Sequence, residues 1–286
     1  MKHQPIIIIG MHRSGTTALC KALETLGLFV GQSKTGENEA NFFQQLNIWT
    51  FVQCGASWEN PNSVRDLFDS EDICACVEEY IRFSLSSPRI KSYFGMIKYL
   101  RYRTLFNIAE HWGWKDPRNT FTLPLWLRLF PGAKVIHITR NGVDVAQSLK
   151  VRTDLVLRRR HSKFGKPGIR VMLPRRHWQN YGLISMLRCS TLDGGFSLWE
   201  EYCQEASKHV GMNGDHAMQI RFEDLLKNPV DYLSSLNSFC ELDASPELLS
   251  QAAKNLNSDR AYAYRHDEKL VSFSQKVKKR LAKYGY

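Results

Sequence analysis

"PIIIIGMHRSGTT", Pro5–Thr17, runs four isoleucines into a glycine and a polar turn, and leads into the helix-like "ALCKALETLGL". A short run of β-branched residues is the mark of a buried strand in a parallel sheet. The turn has the spacing G-x-x-x-x-G, Gly10 to Gly15, followed at once by Thr16 and Thr17. Strand, glycine loop and helix N-terminus in that order make an anion cradle, because backbone N–H groups and the positive end of the helix dipole converge on one point. In a nucleoside-triphosphate loop the second glycine is followed by lysine. Thr16 stands in that place here. The loop is therefore expected to hold phosphate or sulfate through its backbone N–H groups and the Thr16 and Thr17 hydroxyls. Arg13 adds a bidentate charged donor.

Working outward, "KVIHIT" over 134–139 reads as a second buried strand, ending at Arg140 and followed by a helix from "GVDVAQSLKV". Residues 217–221 read as a third strand. Helical periodicity predicts helices over 16–27, 42–54, 64–84 with a break near Ser70, 98–111, 122–130, 194–210, 230–241, 246–256 and 275–284. Strands separated by helices predict an α/β fold, a P-loop-type three-layer sandwich with a central parallel sheet and helices on both faces. In such sheets the ligand lies beyond the carboxyl ends of the strands, where Gly10–Thr17 and Arg140 both fall. A magnesium site of the kinase kind wants an acid at a strand end. An arginine there points instead to a second phosphate bound without metal.

Composition narrows the class. The 286 residues are 43% hydrophobic and 23% charged, enough chain for a substantial core. No Pro/Gly/Ser-rich linker divides them, so residues 1–286 are expected to form one domain. No apolar run reaches transmembrane length, and no signal peptide is visible, which predicts a cytoplasmic protein. Seven cysteines without a C-x-x-C pair predict free thiols and no zinc site. The net charge of +11 is concentrated in residues 152–177, which net +8, and 269–283, which net +6, so the remainder nets −3. These segments read as surfaces for anionic ligands, against the plainer reading of a solvated charged face. No aromatic platform accompanies them, so a nucleic-acid partner is not expected.

"GMHRSGTT" followed by "VIHITRNGVDVAQSL" resembles the sulfotransferases that use 3′-phosphoadenosine 5′-phosphosulfate. "WGWKDPR", "LFPGAKVI", "RFEDLLKNP" and "LAKYGY" extend the resemblance over most of the chain, toward bacterial carbohydrate sulfotransferases and the protein-tyrosine branch. The resemblance implies that Arg13, Ser14, Gly15, Thr16 and Thr17 hold the 5′-phosphosulfate. Arg140, with Ser148 eight residues later, would clamp the 3′-phosphate. Lys115 would stabilise the transferring sulfuryl group, and Arg13 would offset charge on the leaving oxygen. The family's glutamate base falls in "GENEANFFQQ", where Glu37 and Glu39 are both candidates and Gln44 stands where many bacterial members carry glutamate. His12 is an outside candidate. Lys269 or Lys276 would stand in for the family's C-terminal loop that covers the 3′-phosphate. Asp116 is expected to orient Lys115 or cap backbone, and Glu223 and Asp224 to cap a helix or pair with Arg221.

The expected activity is sulfuryl transfer to a hydroxyl acceptor, an anionic saccharide or glycolipid, releasing 3′,5′-adenosine bisphosphate and using no metal. The 152–177 segment, within an acceptor-side lid or insertion over about 150–190, would guide the acceptor. Two rivals are a P-loop nucleotide-dependent kinase and a catalytically inactive polyanion-binding relative.

Overall fold

The computed structural model describes residues 3–164 and 187–286. Among these residues the sheet has four parallel strands: β1 (Ile6–Ile9), β2 (Gly113–Lys115), β3 (Lys134–Thr139) and β4 (Ala217–Arg221). Their order is β2-β1-β3-β4. Ile6 pairs with Gly113 on one side and Lys134 on the other, and Thr139 pairs with Arg221. The described helices are α1 (Thr16–Thr25), α2 (Asn41–Gln53), α3 (Glu71–Ser86), α4 (Lys91–Tyr102), α5 (Asn119–Leu129) and α6 (Gly142–Phe164). They continue with α7 (Leu192–Asn213), α8 (Phe222–Lys227), α9 (Pro229–Phe239), α10 (Pro246–Lys254), α11 (Glu268–Lys276) and α12 (Lys278–Ala282).

Side chains of a strand alternate between the faces of its sheet, so four consecutive isoleucines require cover on both. Ile6 and Ile8 join Leu19 and Leu23 of α1 and Leu233 and Leu236 of α9. Ile7 and Ile9 join Phe43 and Leu46 of α2 and Trp126 of α5 on the opposite face. A third cluster binds α6, α7 and the C-terminal helices through Leu149, Phe196, Trp199, Phe273 and Leu281. The three-layer α/β arrangement read from the sequence is the one observed.

Four stretches add to the sequence reading, depart from it or run beyond the described residues. β2 lies inside "WGWKDPR" and is too short, at three residues, to show a period. The helix expected over 98–111 is instead α4, which ends where Arg103 turns to φ 62°. Leu105, Ile108 and Trp112 continue to point inward, and their spacing imitates a helical face. The C-terminal helix expected over 275–284 is two helices that meet at Val277, the first begun earlier by Asp267, whose side chain accepts from Lys269 N and Leu270 N. The basic segment over 152–177 is helical through Phe164, as the last turns of α6, and the rest of the expected lid, 165–186, lies outside the described residues. All seven cysteines are free, and five are buried. Among the described residues no helix is long and apolar enough to cross a membrane.

Candidate active site

Strand order reverses between β1 and β3, and the loops leaving these two strands part to form a crevice. A cavity of about 350 Å³ opens there. Its floor is the loop after β1 and the first turn of α1. Gly15 is the N-cap of α1, at φ 94°, a left-handed conformation that glycine adopts without steric cost. No side chain caps the helix, and no acid stands in its first turn. Its first N–H groups, which lack intrahelical partners, therefore face the cavity with their positive dipole uncompensated.

Arg13, Gly15, Thr16 and Thr17 line the cavity on this side, and Arg140 lines it from the end of β3. Two hydrogen bonds tie the loop to β3 and α6: Arg13 Nε donates to Ser148 Oγ at 2.8 Å, and Arg140 Nη1 donates to the Arg13 carbonyl at 3.3 Å. Ser148 thus meets the cavity through Arg13. Arg140 is held by three further contacts: an ion pair with Asp144 at 3.3 Å, a 2.8 Å hydrogen bond to the Arg260 carbonyl, and the Phe222 ring at 5.4 Å. Ser14 is turned the other way. Its hydroxyl donates within 2.6 Å of the Met11 carbonyl and its N–H bonds the same oxygen, so it shapes the loop from inside. The Thr17 hydroxyl donates to the Glu37 carbonyl at 2.9 Å.

Residues 5–246 match the family model described as "Sulfotransferase family". The chain belongs to the sulfotransferase family. No curated protein sequence matches it. Similar solved structures include the sulfotransferase domain from the curacin biosynthetic pathway, 16% identical, TM-score 0.49, covering 97% of this chain and 99% of that one. The sulfotransferase from Alicyclobacillus acidocaldarius is also 16% identical, with TM-score 0.46 over 93% of this chain and 97% of that one. A mouse sulfotransferase complexed with PAP is 13% identical, with TM-score 0.44 over 91% of this chain and 65% of that one.

Behind the cradle this sulfotransferase gathers a second group. Lys115, at the end of β2, is 1% exposed. Its ammonium donates to the Glu37 carbonyl at 2.6 Å and to Glu39 Oε1 at 3.1 Å. Glu39 is buried and also accepts from Gln44. Burial, and then the nearby Asp116, raise the proton affinity of Glu39 above the ordinary carboxylate range, against the pull of Lys115. Glu37 instead lines the cavity, with Oε1 at 3.9 Å from Arg13 and 3.8 Å from Arg152. Asp116 accepts from Arg118 N at 2.9 Å and from Asn47 at 3.0 Å, so it caps backbone and anchors α2.

His12 also lines the cavity. Neither of its ring nitrogens has a hydrogen-bond partner among the described residues. Its ring stands edge-on to Trp58 at 4.6 Å. Burial, then the cations Arg118, Arg152, Lys115 and Arg13, hold it well below the usual imidazole range, hence neutral at pH 7. Ligand atoms of His12, Glu37 and Glu39 lie within 4.8 Å of one another. Lys115 pairs with Glu39, and Arg13 and Arg152 lie beside Glu37, so cations already stand against both carboxylates of this cluster.

Sequence reading missed Arg260, Phe222, Leu226, Asn255 and Asn257, all of which line the cavity. Their segments carry no motif of the loop's kind, although Phe222 and Leu226 both lie within "RFEDLLKNP". Neither Lys269 nor Lys276 lines the cavity, and Lys276 pairs with Asp193 at 3.2 Å. Glu223 serves the site indirectly, since it accepts from Asn141 N at 2.8 Å, directly after Arg140, and from Tyr286 Oη at 3.0 Å. Asp224 lies 3.9 Å from Arg221, as expected of a local pair.

Proposed function

We propose that the protein transfers a sulfuryl group from 3′-phosphoadenosine 5′-phosphosulfate to a hydroxyl of a carbohydrate or glycolipid. The observation that carries this reading is the uncapped N-terminus of α1 facing the same cavity as Arg13, Arg140 and Arg260. One helix end with one arginine suits one anionic group, and the Arg140–Arg260 side suits a second. Family membership supplies the chemistry. The loop lacks the lysine that a triphosphate loop needs, and Arg140 stands where a kinase wants an acid, both of which weigh against the kinase rival.

In this reading the first turn of α1, with Arg13, Thr16 and Thr17, holds the 5′-phosphosulfate. Arg140 and Arg260 receive the 3′-phosphate, Ser148 acts there through Arg13, and Phe222 and Leu226 give the base an apolar wall. Lys115, fixed by Glu39, stabilises charge on the moving sulfuryl oxygens. Glu37 takes the acceptor's proton, because it faces the cavity while Glu39 is committed to Lys115 and Gln44. A second reading of the base, His12, is favoured by its neutral ring and its two unpartnered nitrogens at the cavity wall.

The test is a thermal-shift comparison of 3′,5′-adenosine bisphosphate with ATP plus magnesium. A ligand present at 100 times its dissociation constant stabilises by about 2.7 kcal/mol. The bisphosphate alone is expected to raise the melting temperature, with the gain lost in Arg140→Ala and reduced in Arg260→Ala but kept in Lys276→Ala. Stabilisation by magnesium-ATP would favour the kinase, and no shift with either would favour the inactive polyanion binder.

A further inference from the structure

Residues 80–109 contain Arg82, Arg89, Lys91, Lys98, Arg101 and Arg103 and no Asp or Glu. This local excess is concealed in the chain's overall balance by acids elsewhere. At its centre, α4 is broken by Gly95, whose φ of 72° and ψ of 175° divide the helix into two pieces. Tyr93, Phe94 and Tyr102 face the core. Outward, Ile97 is 84% exposed, Leu100 56% and Met96 52%. Met96 and Leu100, and Ile97 and Arg101, are four residues apart, so these side chains share one face.

Arg101 lies on the helical piece that carries this face and Arg103 caps its end, while Lys91 lies beyond the break at Gly95. Lys91, Arg101 and Arg103 are exposed. Arg101 lies over the Tyr102 ring at 5.2 Å and Arg103 over the Tyr99 ring at 5.4 Å, which keeps both guanidiniums at the helix surface. Glu110, the first acid after the stretch, is already held by Lys98 and by Tyr102 Oη. The face therefore presents aliphatic side chains beside two exposed guanidiniums, with Glu110 shared among Lys98, Tyr102 and the field of Arg101.

We propose that this face of α4 docks on an anionic lipid bilayer, with Met96, Ile97 and Leu100 entering the interface and Arg101 and Arg103 meeting the headgroup phosphates. Long cationic side chains reach phosphate while their stems lie along apolar surface, the arrangement a bilayer interface rewards. A second copy of the chain is a poorer occupant, because it would bring the same cations face to face. Nucleic acid would leave the central aliphatic residues without an apolar partner. The inference rests on α4 alone and not on the reading of the donor site. It places the protein where a lipid-linked hydroxyl would be found.

The experiment is co-sedimentation of the full chain with phosphatidylcholine vesicles and with vesicles in which one lipid in three is phosphatidylglycerol, followed by light scattering without lipid. Binding is expected only to the anionic vesicles. Ile97→Asp/Leu100→Asp is expected to lower the partition coefficient on the order of tenfold or more, since each aliphatic side chain loses a transfer term that a carboxylate reverses. Ile97→Leu should bind as the parent does. Both substitutions fall on exposed positions, so melting temperatures should stay unchanged. Equal binding by the double variant would overturn the proposal and assign the affinity to the other basic segments. Absence of binding would overturn it as well, as would a dimer in solution that the double variant dissolves.

Discussion

Glu37 and Glu39 stand two residues apart and meet opposite fates. The backbone between them passes through Asn38 at φ 60°, and this turn points Glu37 to the cavity and leaves Glu39 buried against Lys115. Glu37→Gln is expected to reduce turnover on the order of a hundredfold or more. Bisphosphate affinity should hold or rise, because a carboxylate is removed from among guanidiniums. Glu39→Gln leaves the Lys115 ammonium buried without its charge partner, which should destabilise the fold by about 3 kcal/mol. Parallel turnover and denaturation measurements on the two variants separate the roles. A stable, inactive Glu39→Gln beside an active Glu37→Gln would reverse them. Sequence alone named both glutamates and could not choose, since spacing does not reveal which of two neighbours a chain reversal turns inward. Ser14 is a similar case: its position in the motif is legible, its inward hydroxyl is not.

At the scale of elements, the strand–loop–helix unit depends on contact with β4 and α8. A Cβ at Gly15 would stand 2.3 Å from the Phe222 ring, and the residue is already at a φ that other side chains resist. Gly15→Ala should therefore cost about 2 kcal/mol or more in chemical denaturation and weaken bisphosphate binding with it. Gly15→Ala/Phe222→Leu should recover only the part due to the clash, and complete recovery would show that backbone conformation contributes nothing. Elements with a clear local signal, an apolar run or a helical stretch, were legible: β1, β3, β4, α1 and α2 lie close to their expected positions. β2 was not, because Gly113–Lys115 earns its place in the sheet from backbone pairing with β1 and from no pattern of its own. The end of α4 was not legible because Leu105, in a single 3-10 turn, and Ile108 after it face the core outside any α-helix.

For the whole molecule, the buried charges set a pH response. Burial lowers His137 on β3 to about 4, with Gln219 pulling upward and His209 downward. A histidine whose pKa is depressed by folding contributes stability that is present above its unfolded value near 6.5 and is lost as pH falls toward the folded value. Between about pH 7.5 and about pH 5 the loss is about 2 kcal/mol for His137. Buried Glu39 and Glu223, both raised by desolvation, act in the opposite sense, their contribution fading as pH rises. The difference between wild type and His137→Gln isolates the histidine. Its stability–pH curve, from denaturant melts across that range, should be flatter by about that amount. Curves of equal slope would show that His137 does not gain its proton on unfolding.

The strand–loop–helix order, the missing lysine and the Arg140–Ser148 spacing were determined by sequence alone, because each is written within a few turns of contiguous chain. So was the family, since the chemistry of its cradle is local. Tertiary structure decided the rest. Arg13 meets Ser148 across 135 positions, and Arg140 meets Arg260 across 120. Phe222 reaches Gly15, and the rim of the cavity comes from residues that share no motif with its floor. Such meetings follow from how helices pack on the two faces of the sheet and from which strands pair, and local periodicity fixes neither.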